Sequence, residues 1–347
     1  MRKQYLIILA LLACVPVFSK DGDSLGNQIV RRFTTSAGGA SKWGLIRYPS
    51  DFFTSQNKYP LIVFNHGVGE IGTGDSLLSR LNRYGPGFYM ANQAWNLSAT
   101  SPLNGRPYQF IYFAMQDQSW SPTPEEMMYV INNDPAIKDR VDRNGIFITG
   151  ISAGGGNTIK TTLTSREMST SIAAIVPMSA APSFDWNNIE LAKEMKIPVW
   201  AFHGLLDSVA FAQTTTAPYI GHLSSVNPRK TRWTQLPLRH NGWNTLYAPT
   251  YRENIDGISM NIYEWMLYNM KNQELVLATH IDSFAASSAD GRTVLNWRTA
   301  SESDNQKFII ERSEDGVDFK PVGELPSKAS GGNSNQPIQY TFTHLYK

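Results

Sequence analysis

The sequence predicts an α/β fold, in which a doubly wound, mostly parallel sheet is followed by a small β module. Two observations carry this prediction. Up to about residue 272, short runs that are apolar throughout alternate with segments of helical periodicity. Beyond that point, short alternating strands are separated by turn residues. Runs without polar positions are typical of parallel strands buried on both faces, and their alternation with helices is typical of an α/β layer.

The apolar runs predict five strands, which are Leu61–Asn65, Phe110–Ala114, Gly145–Thr149, Ile172–Met178 and Ile197–Phe202. The strand-like segment Arg232–Leu236 is predicted to be a sixth. Pro124–Ile131 is predicted to be helical, because proline and two glutamates stand in its first turn. Ile258–Lys271 is predicted to be a second helix, because its apolar residues recur at helical spacing. In such a sheet, ligands bind beyond the carboxyl ends of the strands.

The chain is expected to divide into five segments. These are a signal peptide at 1–19, a loose lead-in at 20–42 with at most one edge strand, an α/β domain at 43–272, a linker at 273–280 and a β module at 281–347. In the module, Leu295 and Trp297 alternate as on one face of a strand, and Asp315-Gly316 is typical of a hairpin turn.

The first residues resemble a bacterial export signal. Arg2 and Lys3 precede an apolar stretch at 6–12, and small residues end at Ser19. Cleavage after Ser19 is favoured, while lipidation of Cys14 in a lipobox-like context and a buried helix are the alternatives. The stretch is too short to predict a membrane span. We therefore expect a secreted, cell-surface or periplasmic protein that keeps no cysteine once Ser19 is the cleavage point.

Composition argues against one class of partner. The formal net charge is only +2, and no block of lysine or arginine stands out. Nucleic-acid binding needs a basic patch that neutralises phosphates, so no nucleic-acid partner is predicted. Hydrophobic residues make up 41% of the chain and charged residues 17%, as expected of a packed globular protein.

The strongest chemical signal is Gly150-Ile151-Ser152-Ala153-Gly154, which follows a predicted strand and opens a helical stretch. A serine on a sharp strand-to-helix turn projects its hydroxyl outward, and the residues two before and two after it must be small. Gly150 and Gly154 meet that requirement. The sequence therefore predicts Ser152 as a nucleophile, with a flexible glycine loop as the alternative.

A serine nucleophile needs a base that is oriented by an acid, and the order expected in this arrangement is Ser, Asp or Glu, then His. Asp207 is the predicted acid because it follows a strand, and Asp185 is its rival in a loop-like segment. His240 is the predicted base, because it lies in a loop after the last predicted strand of the sheet. His222 comes too early in that order.

The oxyanion of an acyl-transfer reaction needs two backbone N–H donors. Ala153, directly after the nucleophile, and Val68, in the loop after an early strand, are the predicted donors. Trp120, Trp186 and Trp243 are candidates for lining a substrate subsite, with plain packing as the alternative. No cofactor and no metal are predicted. A zinc site from His66, His203 and His240 was considered, but no His-x-x-x-His spacing supports it.

These motifs, in this order, resemble the α/β-hydrolase superfamily, and in particular serine esterases similar to polysaccharide esterases and dienelactone hydrolases. The matching segments are His66–Gly72, Ala114–Gln116, Arg143–Gly156, Phe202–Asp207 and His240–Trp243. The resemblance covers roughly residues 43–272, and Met115 departs from it by replacing a proline. It implies carboxylic-ester hydrolysis, often of acetyl or feruloyl groups on polysaccharides, so an ester substrate is the expected partner.

Residues 281–347 resemble a partial fibronectin-type-III-like module, through Leu295–Glu302 and Ile310–Gly316. A complete sandwich has about 100 residues, so the module is expected to be incomplete. Two alternatives to an esterase stay open. One is a serine peptidase of the prolyl-oligopeptidase type, although its large propeller domain is lacking. The other is a binding protein that keeps the fold without catalysis.

Overall fold

The computed structural model describes residues 20–74, 77–182, 188–271, 279–302, 305–316, 318–332, 334 and 336–345. The chain forms two compact units, the first comprising Met1–Thr100 and Pro107–Lys271, the second Ser101–Arg106 and Asn272–Lys347. Several predictions fall outside the described residues: the signal peptide 1–19 with its Cys14, the rival acid Asp185, Trp186 and most of the linker.

The first unit contains strands and helices that alternate along the chain. Its strands are β1 Ser24–Leu25, β2 Gln28–Thr34, β3 Ser41–Arg47, β4 Tyr59–Asn65, β5 Ser98–Thr100, β6 Pro107–Gln109, β7 Ile111–Met115, β8 Val141–Ile151, β9 Ala174–Met178, β10 Val199–Gly204, β11 Thr231–Leu236, β12 Glu253–Ile255 and β13 Ile258–Met260. Its helices are α1 Gly85–Gln93, α2 Pro124–Asn133, α3 Ala153–Thr164, α4 Arg166–Ser171, α5 Ile189–Met195, α6 Thr216–Ser224, α7 Trp243–Tyr247 and α8 Ile262–Tyr268.

Nine of the described strands form one sheet, in the order β1-β2-β3-β7-β4-β8-β9-β10-β11. Six neighbouring strands pair in parallel, and these are β7, β4, β8, β9, β10 and β11. The three strands at the other edge, β1 to β3, pair antiparallel. The predicted α/β class with a mostly parallel sheet is confirmed, and all six predicted strands are present.

Strand β4 shows why an apolar run becomes a central strand. All seven of its residues are buried. Leu61 and Val63 pack into the core on one face of the sheet, while Ile62 and Phe64 pack into the core on the other. Successive side chains of a strand point to opposite faces, so a strand covered on both sides has no position at which a polar residue would meet water.

The strand order places a crevice beside β4. After β4 the chain forms β7 on one side of that strand, then crosses over to form β8 on the other. Loops that leave the carboxyl ends of neighbouring strands toward opposite faces open a crevice between them, where α/β proteins bind ligands. The loop after β4 and Ser152, directly after β8, flank this crevice.

The prediction of a loose lead-in at 20–42 is wrong, because these residues include β1, β2 and the start of β3. Val30 and Phe33 of β2 are fully buried. The guanidinium of the intervening Arg31 binds the Asp134 carboxylate at 3.0 Å. A partner distant in sequence thus satisfies a charge inside a sheet strand.

The prediction of one helix over Ile258–Lys271 is also wrong in its first turn. Ile258–Met260 is strand β13, paired antiparallel with β12. Asn261 then starts α8, since its side-chain oxygen accepts the N–H groups of Tyr263 and Glu264 at 3.0 and 2.9 Å. Glu264 accepts the Asn261 N–H in return, which completes a capping box.

The second unit contains β14 Thr279–Ala289, β15 Arg292–Glu302, β16 Lys307–Arg312, β17 Lys320–Pro326 and β18 Ile338–Leu345. A three-stranded antiparallel sheet has the order β14-β15-β18, and β16 pairs with β17. Trp297, Ile310 and Tyr340 form its buried core. These antiparallel sheets are consistent with a small β module that begins two residues before the predicted boundary. Its likeness to a fibronectin-type-III sandwich and the five-segment division stay predictions.

Candidate active site

Ser152 stands on a strained turn between β8 and α3. Its backbone has φ 53° and ψ −118°, a combination that residues other than glycine rarely adopt. Its carbonyl accepts the N–H of Gly156 at 3.0 Å and of Ala181 at 2.9 Å, and its own N–H donates to the Met178 carbonyl at 3.0 Å. Three hydrogen bonds therefore hold the strained residue in place.

The two glycines around Ser152 are required by close backbone contacts. A Cβ on Gly150 would lie 2.6 Å from the Gly154 carbonyl oxygen and 2.6 Å from that of Asn65. A Cβ on Gly154 would lie 2.1 Å from the same Asn65 oxygen. The turn that follows β8 thus packs directly on the end of β4, and any larger residue would push the two apart.

The three residues predicted to act together form a continuous hydrogen-bonded chain. The Ser152 Oγ lies 2.8 Å from the His240 Nε2, and the His240 Nδ1 lies 2.7 Å from the Asp207 Oδ2. A carboxylate can only accept, so Nδ1 carries the proton and Nε2 is left to accept from the serine hydroxyl. The geometry is that of a base poised to take the Ser152 proton.

Both carboxylate oxygens of Asp207 accept hydrogen bonds. While Oδ2 accepts from His240, Oδ1 accepts the N–H groups of Val209 at 3.0 Å and Ala210 at 2.9 Å. Burial alone would raise the pKa of Asp207, but the hydrogen bonds from His240, Ala210 and Val209 outweigh it and lower that pKa below its usual value. The carboxylate is therefore ionised and fixed in direction.

His240 is oriented by a neighbouring ring as well as by Asp207. The Trp243 ring meets the imidazole edge to face, with 5.0 Å between ring centroids. Its indole N–H donates to the Ser179 Oγ at 3.1 Å, and Tyr84 packs against its other side. Trp243 is buried, so its position favours supporting the base over contacting a substrate. Trp120 is half-exposed in the loop after β7, and its substrate role stays a prediction.

The other two buried histidines at this edge of the sheet are neutral and act as structural links. His66 donates from Nδ1 to the Gly67 carbonyl at 2.7 Å, and its Nε2 accepts the Asp117 N–H at 3.0 Å. His203 donates from Nε2 to the Ala210 carbonyl at 2.7 Å. Burial lowers the pKa of both imidazoles.

The two predicted oxyanion donors lie at helix starts near Ser152. Ala153 is the first residue of α3, and Val68 is the first residue of a 3₁₀ turn, Val68–Glu70. N–H groups in a first turn have no partner within their own helix. A Cβ built on Gly67, which precedes Val68, would lie 3.4 Å from the Ser152 Cβ. The loop that carries Val68 thus runs directly past the serine.

Glu70 is a site residue that the sequence analysis missed. Its buried carboxylate accepts the Gly67 N–H at 3.1 Å and closes the 3₁₀ turn as a capping box. Burial raises the pKa of Glu70 to about 7, against the opposing effects of Arg83 and the Gly67 amide. The spacing of three residues between Gly67 and a glutamate was the available signal.

Neither a metal site nor a membrane span is found in the described part of the chain. No group of three or more histidine, cysteine, aspartate or glutamate side chains there could hold a metal ion. None of the helices in that part is both long and apolar enough to cross a bilayer.

No protein-family model and no curated protein matches the chain. Among solved structures, a thermostable esterase is 22% identical with a TM-score of 0.48, covering 63% of this chain and 58% of its own. A fluorophosphonate-binding serine hydrolase of Staphylococcus aureus, FphF, is 16% identical with a TM-score of 0.46, covering 69% and 98%.

An acylaminoacyl peptidase of Pyrococcus horikoshii is 15% identical with a TM-score of 0.42, covering 62% of this chain and 38% of its own. The chain thus spans less than two thirds of the length of the esterase and of the peptidase. At TM-scores below 0.5, these likenesses do not define an activity for the chain.

Proposed function

We propose that this chain is a serine hydrolase that cleaves carboxylic esters through an acyl-enzyme intermediate. One observation carries the proposal, which is the hydrogen-bonded chain from the Ser152 Oγ through His240 to Asp207. The strained backbone of Ser152 supports it, because strain of this kind is retained where it presents a reactive group.

Each residue has one role in the proposed mechanism. His240 Nε2 takes the hydroxyl proton as the Ser152 Oγ attacks the ester carbonyl carbon, and the Val68 and Ala153 N–H groups bind the oxyanion. The imidazolium then gives its proton to the leaving alcohol, and the acyl group stays on Ser152. Water attacks this acyl group with His240 again as base, and the proton returns to Ser152. Asp207 stabilises the charged imidazole in both steps.

Ser152→Ala tests the proposal directly. The purified variant is expected to lose hydrolysis of p-nitrophenyl acetate and labelling by a fluorophosphonate probe, because no other group replaces the nucleophile. Ser225→Ala, at an exposed serine that ends α6, is the matched control and should behave as the unaltered protein. Undiminished hydrolysis by folded Ser152→Ala would overturn the assignment. Absence of both turnover and labelling in the unaltered protein would favour a binding protein.

We further propose that the esters are acyl groups carried on polysaccharides, of the acetyl or feruloyl type. The resemblance of the loop His66–Gly72 and of the segments around the triad supports this class. The half-exposed Trp120 supports it too, because it follows β7 at the same edge of the sheet as Ser152 and aromatic rings stack well on sugars. Release of acetate or ferulate from acylated xylan would support the class, whereas turnover of acylaminoacyl peptides alone would indicate a peptidase.

We also propose that the protein is exported from the cytoplasm. The basic and apolar residues of 1–19 support cleavage after Ser19, with lipidation at Cys14 as the alternative. Expression in a bacterial host followed by intact-mass measurement distinguishes the two. A mature chain that begins at Lys20 indicates a cleaved signal, and a chain that begins at an acylated Cys14 indicates a lipoprotein. A chain retaining Met1 in the cytoplasm would contradict export.

A further inference from the structure

The segment 205–211, here termed the apolar loop, exposes four large hydrophobic side chains in seven residues. Leu205, Leu206, Val209 and Phe211 are 62%, 58%, 70% and 55% exposed. Elsewhere in the described part of the first unit, the exposed large hydrophobic residues are Phe53, Val68, Trp120 and Ile258. Scattered apolar residues are normal on a surface, but such a concentration marks a binding site.

The backbone of the apolar loop is rigid although its side chains are exposed. The N–H groups of Leu205 and Leu206 donate to the Leu236 and Leu238 carbonyls at 2.8 and 3.0 Å. Further along, Ala210 donates its N–H to Asp207 and accepts from His203 with its carbonyl. Because the backbone is already ordered, little conformational entropy would be lost when a ligand covers these side chains.

The position of the apolar loop ties it to the proposed catalytic residues. It leaves the carboxyl end of β10, and its third residue is Asp207, which binds His240 at 2.7 Å. Val68, also exposed, reaches the same edge of the sheet in the loop after β4. No lysine, arginine, aspartate or glutamate occurs from Ser208 to Gly221. Beyond Asp207, the apolar loop therefore has no formally charged side chain of its own, while the exposed Arg239 of the neighbouring loop precedes His240.

We propose that the apolar loop binds a bulky apolar group of the ester substrate, so that esters with an aromatic or medium-chain aliphatic group are preferred over acetyl esters of small alcohols. This inference rests on the proposed ester hydrolysis. Such a group reaching from Ser152 past Asp207 would remove exposed hydrocarbon from water, which is favourable.

The test compares two substrate series on four variants. The acyl series is methyl acetate, methyl hexanoate and methyl ferulate, and the alcohol series is methyl, hexyl and phenyl acetate. The variants are Leu205→Ser, Leu206→Ser, Val209→Ser and Phe211→Ser. Phe53→Ser is the matched control, because Phe53 is 77% exposed and precedes β4, at the opposite edge of the sheet.

In the unaltered protein, kcat/KM is expected to be higher for the bulky esters of at least one series than for methyl acetate. Each of the variants with a role in binding should lower kcat/KM for those esters about three- to tenfold, mainly through KM. For methyl acetate, kcat/KM should change less than about twofold in the same variants. The Phe53→Ser variant should have the kcat/KM of the unaltered protein for every ester. Whichever series shows the effect identifies the acyl or the alcohol half as the bound group.

Three results would overturn the inference while leaving ester hydrolysis intact. These are no preference for bulky esters, an equal loss on methyl acetate, or no effect of any variant on any ester. Unchanged kinetics with a loss of self-association in light scattering would show that a second copy of the chain covers the loop instead. Failure of the proposed function looks different, because the unaltered protein would then hydrolyse none of the five esters, and the inference would fail with it.

Discussion

A single carboxylate, that of Asp207, receives three hydrogen bonds from groups that lie on two different loops. The two amides of Val209 and Ala210 fix one oxygen, and the His240 imidazole takes the other. This arrangement selects the imidazole tautomer, since the proton must lie on the nitrogen that faces Asp207. The same tautomer leaves Nε2 free to accept the Ser152 proton.

Asp207→Asn is therefore expected to lower kcat for nitrophenyl acetate by about three to four orders of magnitude, with little change in KM. An asparagine amide that donates to Nδ1 would move the imidazole proton to Nε2. Steady-state kinetics measure the loss. Asp134→Asn is the matched control, because Asp134 is as buried as Asp207 at 8% exposure. A comparable loss of kcat in the control would show that lost stability explains both.

Glu70 makes a residue-scale prediction about pH. Its pKa rises from 4.5 to about 7 on folding, so the folded protein binds more protons than the unfolded chain between these values. Its contribution therefore favours folding most at low pH and is lost as the pH rises from 4.5 to about 7. Above that window, the ionised and buried carboxylate costs up to about 3 kcal/mol of unfolding free energy.

Glu70→Gln removes this titration and keeps an oxygen for the Gly67 N–H. Relative to the unaltered protein, the variant is expected to be more stable at pH 8 than at pH 4.5 by up to about 3 kcal/mol. Urea unfolding of both proteins at the two pH values measures this difference in unfolding free energy. The contributions of His66 and His203 cancel, because both proteins contain these residues. Glu167→Gln, at an exposed glutamate of α4, should show no such change. An equal difference at both pH values would contradict a raised pKa.

At the scale of elements, the end of β4 and the start of α3 touch through backbone atoms at Gly154. No side chain fits between them, because even a Cβ would lie 2.1 Å from the Asn65 carbonyl oxygen. The contact fixes where α3 begins, and with it the direction of Ser152. The position of the nucleophile therefore depends on two elements, of which one ends at Asn65 and the other begins at Ala153.

Gly154→Ala is expected to lower the free energy of unfolding by about 3 kcal/mol, since the rigid backbone of β4 must move to admit the methyl group. Activity should fall with it, because Ser152 moves too. Gly221→Ala is the matched control, because Gly221 lies in α6 with nothing within 4 Å of the added Cβ. It should gain about 0.5–1 kcal/mol from helix propensity. Denaturant unfolding checks both values, and equal effects would refute the packing argument.

At the scale of the whole molecule, the two units differ in how they are stabilised. The first unit has large apolar cores on both faces of its sheet. Among the described residues of the second unit, the buried core cluster consists of Trp297, Ile310 and Tyr340, and the carboxylate of Glu302 is buried as well. That carboxylate accepts from the hydroxyls of Tyr340, Thr299 and Ser327 and from the Asn305 amide. Despite burial, these hydrogen bonds lower the pKa of Glu302.

Glu302→Gln is expected to destabilise the second unit by about 1–3 kcal/mol, because an amide nitrogen cannot accept the hydroxyls that the carboxylate accepts. Ester hydrolysis should be unchanged, since every residue of the proposed machinery lies in the first unit. Calorimetry is expected to show a lower midpoint for one unfolding transition, while kcat/KM for ester hydrolysis stays unchanged. Glu324→Gln, at an exposed glutamate of β17, is the control. A matching effect in the control would mean that Glu302 contributes no more than a surface charge.

The sequence by itself predicted the elements whose local pattern agrees with their final environment. The strands β4, β7, β9 and β10 and the second half of β8 are mostly apolar because both of their faces are covered, so their burial could be predicted from their composition. The glycines around Ser152 were recognisable because they mark a local turn. The order of Ser152, Asp207 and His240 along the chain was recognisable because it follows from the topology of the sheet. Strand β13 was not recognisable, because apolar residues at 258 and 260 fit strand and helix alike.

Only the tertiary structure decided the features that depend on partners far away in the chain. Strand β2 joins the sheet by pairing with β3 and burying Val30 and Phe33, while the charge of Arg31 is met by Asp134. Glu70 becomes a buried carboxyl beside the serine because the strand order folds the loop after β4 onto the start of α3. Trp243 could be a subsite residue or a packing residue by sequence, and it is buried against the His240 ring. Burial and pKa depend on every neighbour in space, and a linear pattern contains only the neighbours along the chain.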